Sequence, residues 1–260
     1  MKNQFFADER DFLKYDLWME LADHLGEQCR LTFVPMLTGP DGTKQGGKTK
    51  YAAGERRKCL YDFLQHFCLP ENENKRSITE LRQYFAPDAG RDYHYQPYRD
   101  GERKDRDHFE HDKRKEYFAG IPSEWLSDSV VLIDPDTGLP TKGPYWRKSP
   151  EKYATYADIA MVAKRATGNA ALVVVQFSQF NADLAKTDLD CRADRLCQEL
   201  RSLEIHDWSV HWIAQRKGKS NKVGDLAFFV LAPRSGPAEK VEKLLPDYAR
   251  RHDMLLGASR

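Results

Sequence analysis

Apolar residues in this chain occur in two patterns, helical spacing and short continuous runs, and the two patterns alternate. Residues 11–28 have apolar side chains every three or four positions, which predicts an amphipathic helix. Residues 31–37 are nearly all apolar and predict a buried strand, although Pro35 is unusual in a central strand. The runs Ser129–Asp134 and Ala171–Phe177 are the clearest strands, because continuous apolar character is typical of parallel strands covered on both faces.

The remaining segments continue this alternation of helices and strands. Helical spacing returns at 55–67, 77–85, 152–167, 192–203 and 238–251. Residues 210–215 and 225–231 predict two strands joined by a basic loop. Strands that alternate with helices predict an α/β fold, here a doubly wound, mostly parallel Rossmann-like sheet with a late antiparallel hairpin.

The length and the charge pattern indicate one domain with an insertion. A chain of 260 residues is within what one hydrophobic core can serve, so we expect a single Rossmann-like domain over residues 1–260. Residues 86–120 form a charged insertion in that domain. Its stretch 91–116 is dense in charges of both signs, which nearly cancel. This stretch predicts a solvated excursion that is available to a protein partner.

Composition and charge exclude several classes of protein. The 41 Lys and Arg residues balance 40 Asp and Glu residues, so nucleic acid must be contacted by a local patch and not by a general positive charge. The five cysteines include no CxxC pair, which argues against zinc and favours free thiols in a reducing cytoplasm. No apolar segment has the length of a bilayer span and the N-terminus is polar, so we expect a cytoplasmic protein without a membrane partner.

The loop 38–51, which follows the first strand, is the candidate cofactor site. Sheets of this class bind ligands outside the carboxyl ends of their strands, and glycines let backbone N–H groups approach an anion or an adenosyl group. The candidate cofactor-binding residues are Thr38, Gly39, Gly42, Gly46, Gly47 and Lys48. The spacing of a Walker A motif is also satisfied here, by Gly42, Gly47, Lys48 and Thr49, but the segment does not join a strand directly to a helix. A flexible surface loop is the remaining alternative.

Two carboxylates, Asp134 and Asp136, follow the strand Ser129–Asp134 and are the candidate catalytic acids. A carboxylate at a strand end, held by a proline-stiffened turn, projects into the ligand crevice of such a sheet. The pair would orient a substrate amine, hold a magnesium ion together with waters, or act as a general base. The alternative is a plain type I turn, with Asp136 and Gly138 chosen for turn geometry.

Two further candidates lie at later strand ends. Gln176 ends the next strand, where an amide beside aromatic residues would read or stack a flat base; the alternative is that these aromatic residues only close the core. The basic loop after 210–215 predicts contacts to nucleic acid phosphates, and a solvated hairpin tip is its alternative. Its candidate nucleic-acid-binding residues are Arg216, Lys217, Lys219 and Lys222.

Three sequence segments resemble a group of uncharacterised bacterial and phage proteins: VPMLTGPDGTKQGG, VLIDPDTGLP followed by KYATYADIA, and ALVVVQFSQF. Their order is similar to the Rossmann-type methyltransferase layout of the three-Cys-motif partner family. That resemblance implies an S-adenosylmethionine crevice, with Gly39 and Gly42 on its cofactor side and Asp134, Pro135 and Asp136 facing the substrate. The first strand lacks the acidic start and GxG turn of active methyltransferases, and DPDTG lacks the aromatic residue that amino-methyltransferases carry after DPP.

These observations predict a methyltransferase-like domain that binds S-adenosylmethionine and acts on or near nucleic acid, in a phage or host-defence context. One alternative is a Mg²⁺-dependent nuclease that uses Asp134 and Asp136 together with Glu151 or Gln176. The other is a non-enzymatic Rossmann-like binding module, in which stretch 91–116 contacts a protein partner.

Overall fold

The computed structural model describes residues 2–39, 49–85, 91–97, 108–140, 144–177, 185–218 and 222–260. The described helices are α1 Glu9–Leu25, α2 Lys58–His66, α3 Leu81–Tyr84, α4 Arg114–Ala119, α5 Ser123–Leu126, α6 Tyr156–Arg165, α7 Lys186–Ser202 and α8 Pro237–Arg251. The described strands are β1 Arg30–Pro35, β2 Tyr93–Tyr95, β3 Ser129–Asp134, β4 Ala171–Phe177, β5 Trp208–Arg216, β6 Val223–Pro233 and β7 Met254–Leu256.

These strands form one mixed sheet of seven strands in the order β2-β1-β3-β4-β6-β5-β7. β1 pairs in parallel with β2 on one side and with β3 on the other, and β3 pairs in parallel with β4. β6 is antiparallel to both β4 and β5, and β7 is antiparallel to β5. Because β4 and β5 are each antiparallel to β6, they point the same way. The carboxyl ends of β1, β3 and β4 therefore share one edge of the sheet with the tip of the β5–β6 hairpin.

Apolar side chains cover both faces of the sheet. Val130 and Leu132 of β3 pack in one core cluster with side chains of α1 and α8. Val131 and Ile133 point the other way and pack with side chains of α6 and α7. Every residue of β3 is buried, as expected for a strand that reads as a continuous apolar run. The sheet is therefore the middle layer between two layers of helices.

The sequence located the central strands well. The predicted bounds of β3 and β4 are confirmed at both ends. The predicted α/β fold with a late antiparallel hairpin is confirmed. The sheet is predicted to be mostly parallel, but it is parallel only across β2, β1, β3 and β4 and antiparallel beyond β4. The first strand ends at Pro35, two positions before its predicted end. Proline has no N–H to donate to a neighbouring strand, and at the last position of β1 this does not interrupt the pairing of the strand. The Pro35 carbonyl accepts a hydrogen bond from the Tyr117 hydroxyl (2.6 Å).

Parts of stretch 91–116, for which a solvated and partly helical excursion is predicted, belong to the sheet and the core. Tyr93–Tyr95 is the edge strand β2, paired with β1. Phe109, and Tyr117 and Phe118 just beyond the stretch, are buried in the second core cluster. The dense charge of this stretch makes its apolar positions hard to recognise from the sequence. In addition, β2 has only three residues, which is too short to show an alternating pattern.

No helix within the described part of the chain is long and apolar enough to cross a membrane.

Candidate functional site

Asp134 lies at the point of the sheet where the strand order reverses. The chain passes from β1 to β2 on one side of β1 and then to β3 on its other side. In register, Asp134 at the end of β3 faces Pro35 at the end of β1. Open α/β sheets bind their ligands outside such a pair of strand ends. The Asp134 side chain is 0% exposed, so it lies beneath the surface at this pair of strand ends.

A lysine from α1 reaches the Asp134 carboxylate. Lys14 Nζ lies 2.7 Å from Asp134 Oδ2 and 2.5 Å from Asp11 Oδ1. None of the three side chains is more than 2% exposed. We call Asp11, Lys14 and Asp134 the buried ionic cluster. Two carboxylates and one ammonium are thus removed from water together, which is costly unless the groups are well paired.

The start of α1 places this cluster. Asp8 is the N-cap residue, and its side chain accepts hydrogen bonds from the backbone N–H groups of Arg10 and Asp11. Ala7 has a left-handed backbone with φ 69°, and its N–H donates to Asp11 Oδ2 (3.0 Å). Asp11 and Lys14 are three residues apart, which puts them on the same face of the helix. The N-terminal turn of α1 therefore presents both groups to the end of β3.

One oxygen of Asp134 has no partner. Oδ2 accepts the hydrogen bond from Lys14, whereas the buried Oδ1 receives none from the described residues. The buried Tyr15 hydroxyl on α1 is likewise without a hydrogen bond. Buried polar atoms are nearly always hydrogen-bonded, and an unsatisfied one often marks a functional position. Asp134 Oδ1 is therefore a buried acceptor that no described donor satisfies.

The single lysine cannot neutralise both carboxylates. Burial alone would lower the pKa of Lys14, but Asp11 and Asp134 more than offset this and raise it above its ordinary value. Burial raises the pKa of Asp11 to about 7, partly opposed by Lys14 and reinforced by the negative charges of Asp8 and Asp134. We conclude that Lys14 stays charged at neutral pH, and that Asp11 takes up a proton near neutrality.

Asp11→Asn is expected to remove a pH dependence of stability. The folded protein retains the Asp11 proton up to about pH 7, whereas the unfolded chain releases it near its ordinary pKa of 3.8. The folded state binds more protons between these values, so this group makes stability fall as pH rises from about 4 to 7. The variant lacks this fall. Relative to the wild type, it should gain on the order of a few kcal/mol between pH 4 and pH 8.

Urea-induced unfolding of both proteins at several pH values measures this difference. The asparagine amide turns its –NH₂ towards either Lys14 or the Ala7 N–H, so the variant also has a constant loss of stability at all pH values. Only the slope with pH reports the Asp11 proton. Parallel stability curves for the two proteins would contradict the assignment.

Asp136 is paired with a lysine of the N-terminal segment. Lys2 Nζ lies 3.5 Å from Asp136 Oδ2, and both side chains are less than 10% exposed. Burial alone would raise the pKa of Asp136, but nearby positive charges, Lys2 and Lys152 among them, lower it below its usual value. Asp136 is thus an ionised carboxylate that is paired with lysine.

The Gln176 amide fixes the turn that follows Asp134. Its Oε1 accepts a hydrogen bond from the Leu139 N–H (2.8 Å), and its Nε2 donates to the carbonyls of Thr137 (3.2 Å) and Phe177 (2.7 Å). Gly138 has φ 125°, and a Cβ there would lie 2.5 Å from the Gln176 side chain. Only glycine fits this close approach. Gln176, a candidate catalytic residue in the sequence, therefore has its hydrogen bonds directed at the turn, as expected of a positioning residue.

The described part of the cofactor loop lies at the end of β1. Thr38 is buried, and a Cβ on Gly39 would lie 3.9 Å from the His108 ring, an ordinary contact. Gly42, Gly46, Gly47 and Lys48 are outside the described residues. After Thr49 the chain is not helical until α2 begins at Lys58, so the Walker A spacing does not open a helix as a P-loop does.

The basic tip lies at the same edge of the sheet as Asp134. Lys217 and Lys222 are exposed, and the Lys217 N–H donates to the Lys222 carbonyl (2.9 Å), which closes the hairpin. Arg216 forms an ion pair with Asp253 (2.8 Å). Lys219 is one of the residues that the structure leaves undescribed. The tip thus presents positive charge beside the crevice.

An aromatic ring links the crevice to the β5–β6 hairpin. The Phe177 ring lies 5.6 Å from Lys14 Nζ and 5.6 Å from the Arg10 guanidinium. Arg10 forms an ion pair with Asp225 on β6. Phe177 therefore lies between the buried ionic cluster and the base of the hairpin.

Sequence reasoning missed Asp11, Lys14 and Lys2. A signal was present, because Lys14 occupies the same helical stripe as Trp18, Leu21 and Leu25, which are all fully buried or nearly so. A lysine in an apolar stripe needs a buried carboxylate partner. Among the described residues, no group of three or more His, Cys, Asp or Glu side chains is placed to hold a metal ion.

Comparisons with known proteins place few constraints on this chain. No protein-family model and no curated protein matches it. One similar solved structure is the crystal structure of a Legionella pneumophila str. Philadelphia 1 protein described by the family model DUF519. It is 11% identical, the alignment covers 97% of each chain, and the TM-score is 0.41. This similarity is too low to establish a shared fold, so the resemblance to the three-Cys-motif partner family stays a prediction.

Proposed function

We propose that this chain is an S-adenosylmethionine-dependent methyltransferase that acts on an amino group of a nucleic acid base. The observation that carries the proposal is the Asp134 carboxylate, which is fixed through Oδ2 by Lys14 and has a buried, unpartnered Oδ1 at the strand-order reversal. An amino group is a hydrogen-bond donor and matches that acceptor. A carboxylate held in this way orients the amine without needing to move.

The sheet supports this proposal. In the methyltransferase-type Rossmann layout, parallel strands diverge from a central pair and a late hairpin inserts an antiparallel strand. Here β1 and β3 are the central pair, and β6 lies antiparallel between β4 and β5. The order of segments in the sequence resembles the same layout. The cofactor crevice of such a sheet lies outside the ends of its central strands.

The described residues at the end of β1 fit such a cofactor. Gly39 has no side chain, and the space where a Cβ would stand is bounded by the His108 ring. A flat ring beside an open backbone position suits an adenosyl group. Thr38 and Gly39 would contact it, with Gly42, Gly46, Gly47 and Lys48 as further candidates. When bound, S-adenosylmethionine supplies a methyl group on a positively charged sulfur.

The chain's own residues would orient the acceptor. Asp134 Oδ1 accepts a hydrogen bond from the acceptor amine and aims the nitrogen lone pair into the crevice. Lys14 and the turn held by Gln176 keep the carboxylate in place. In the transfer, the acceptor nitrogen would bond to the methyl carbon as the carbon–sulfur bond breaks, with the bonding electrons left on a neutral thioether sulfur, and the nitrogen would release one proton to solvent. Lys217 and Lys222 at the hairpin tip are placed to contact the phosphate backbone.

Calorimetric titration with S-adenosylmethionine tests the proposal, with ATP–Mg²⁺ as the parallel ligand. We expect micromolar binding of the first ligand, and no binding of ATP. Gly39→Trp should abolish binding because the indole fills the space beside His108. Gly39→Ala is the matched control, since its Cβ would make only an ordinary contact, 3.9 Å from the His108 ring. Absence of binding by the wild-type protein, or equal binding by G39W, would contradict the cofactor assignment.

A further inference from the structure

A short basic and aromatic segment follows the strand end that carries the proposed acceptor site. It is the 3₁₀ turn Pro144–Lys148, and the chain just after it is hydrogen-bonded to the turn that follows Asp134. The Thr137 N–H donates to the Lys152 carbonyl (2.9 Å), and the Ala154 N–H donates to the Gly138 carbonyl (3.0 Å). These two bonds fix residues 152–154 to the turn after Asp134. The arm precedes them by two short turns, closed by the bonds from the Ser149 N–H to the Trp146 carbonyl (3.3 Å) and from the Lys152 N–H to the Ser149 carbonyl (3.1 Å). We call residues 146–148 the acceptor-side arm.

The acceptor-side arm presents an aromatic ring and positive charge. Trp146 is partly exposed, and Arg147 and Lys148 are exposed. The Arg147 guanidinium lies 6.0 Å from the centre of the Trp146 ring. No described carboxylate forms an ion pair with Arg147. An aromatic face beside an arginine is the combination that binds a nucleotide, with the base stacked and the phosphate paired.

The depth of Asp134 limits the form of the nucleic acid. Its carboxylate is 0% exposed. A base inside a duplex cannot bring its amino group to such a depth, because the pairing partner and the stacked neighbours prevent it. The acceptor base must therefore be unpaired, either in a single strand or turned out of a helix. Its neighbours in the strand must then be bound outside the crevice.

We propose that the acceptor-side arm binds an unpaired nucleotide next to the acceptor base, with the base stacked on Trp146 and the phosphate paired with Arg147. The substrate is accordingly single-stranded nucleic acid. The acceptor role of the crevice rests on the proposed function, whereas binding to the arm does not require methyl transfer.

Fluorescence anisotropy with a labelled single-stranded RNA of about 12 nucleotides tests this assignment, since single-strand sites span roughly 4–16 nucleotides. The same sequence as single-stranded DNA and as an RNA duplex are the parallel probes. We expect single strands to bind more tightly than the duplex. Trp146→Ala should weaken single-strand binding roughly tenfold, the size expected for one lost base stack. Trp146→Phe should restore most of the affinity.

Arg147→Ala should weaken binding and lower the dependence of log affinity on log salt concentration by about one unit, as expected for one lost phosphate contact. Lys164→Ala is the matched control, because Lys164 is an exposed cation in the last turn of α6. It should bind like the wild type. Unchanged binding by W146A and R147A, or equal affinity for duplex and single strand, would overturn the proposal.

The two proposals fail in different ways. If S-adenosylmethionine does not bind but W146A and R147A lose affinity for single strands, the methyltransferase assignment fails and the arm assignment stands. If the cofactor binds and both variants bind RNA and DNA normally, the arm assignment alone fails. A preference for RNA over DNA in the wild type would identify the sugar of the substrate.

Discussion

Asp134→Asn is expected to lower methyl transfer by roughly two orders of magnitude, the cost of misplacing a reacting group by about 1 Å. Asparagine keeps the shape of the side chain, but only one of its two terminal atoms accepts hydrogen bonds. The Lys14 ammonium takes that oxygen, since it has no other acceptor on residue 134. The –NH₂ group then faces the acceptor amine. In the wild type the amine donates a hydrogen bond to the carboxylate oxygen, whereas in the variant two donor groups face each other.

Transfer of a labelled methyl group to single-stranded RNA measures this effect, and calorimetry checks that cofactor affinity is unchanged. Asp207→Asn is the matched control, because Asp207 is exposed and precedes β5 at the opposite edge of the sheet. Its activity should equal that of the wild type. If D134N folds, binds cofactor and transfers methyl within a few-fold of the wild-type rate, Asp134 does not position the acceptor and a binding-module function is favoured.

The strand pattern explains why Asp134 could be found from sequence. Ser129–Asp134 is apolar up to its last residue and the turn follows at once, so the acid falls at a strand end in any parallel arrangement. The two long central strands were predicted with correct bounds for the same reason. Burial on both faces leaves a signal that needs no knowledge of the neighbouring strands.

Lys14 could not be found in this way, because its partner is far away in sequence. Helical periodicity places Lys14 on the buried stripe of α1, but it does not say which carboxylate lies opposite. Asp134 is one of many acids that could meet it, and only the packing of α1 on β3 selects it. Gln176 illustrates the opposite difficulty, in which a side chain looks more available to a ligand from the sequence than it is in the fold. An amide at a strand end looks available to a ligand until the turn it holds is known.

The two strands at the sides of the sheet, β2 and β7, could not be predicted from the sequence for a different reason. β2 and β7 each have three residues, too few for a period to be recognised, and β2 lies within a segment rich in charge. Their pairing comes from β1 and β5, which are long strands with an unpaired side. Tertiary context decides such strands, so they follow from the sheet and not from their own sequence.

Lys14→Met is expected to cause the largest loss of stability of any single substitution discussed here, about 3–5 kcal/mol. Methionine fills the same space without the charge, so Asp11 and Asp134 face each other as buried carboxylates without a cation. Urea-induced unfolding at pH 7 measures the loss. Lys243→Met is the matched control: Lys243 pairs with Glu239 on the surface of α8, and its replacement should change stability little.

The loss in K14M should shrink as pH falls. Lys14 lowers the pKa of Asp11, so without it the folded protein binds the Asp11 proton still more tightly than the unfolded chain does, and lower pH favours the folded state. The double variant D11N/K14M should be less destabilised than the two single losses combined, because the Asp11 charge that Lys14 compensates is already absent. A K14M protein as stable as K243M at pH 7, or one with a pH-independent loss, would show that the three groups do not form one electrostatic unit. The free oxygen of Asp134 would then owe its orientation to the turn held by Gln176 alone.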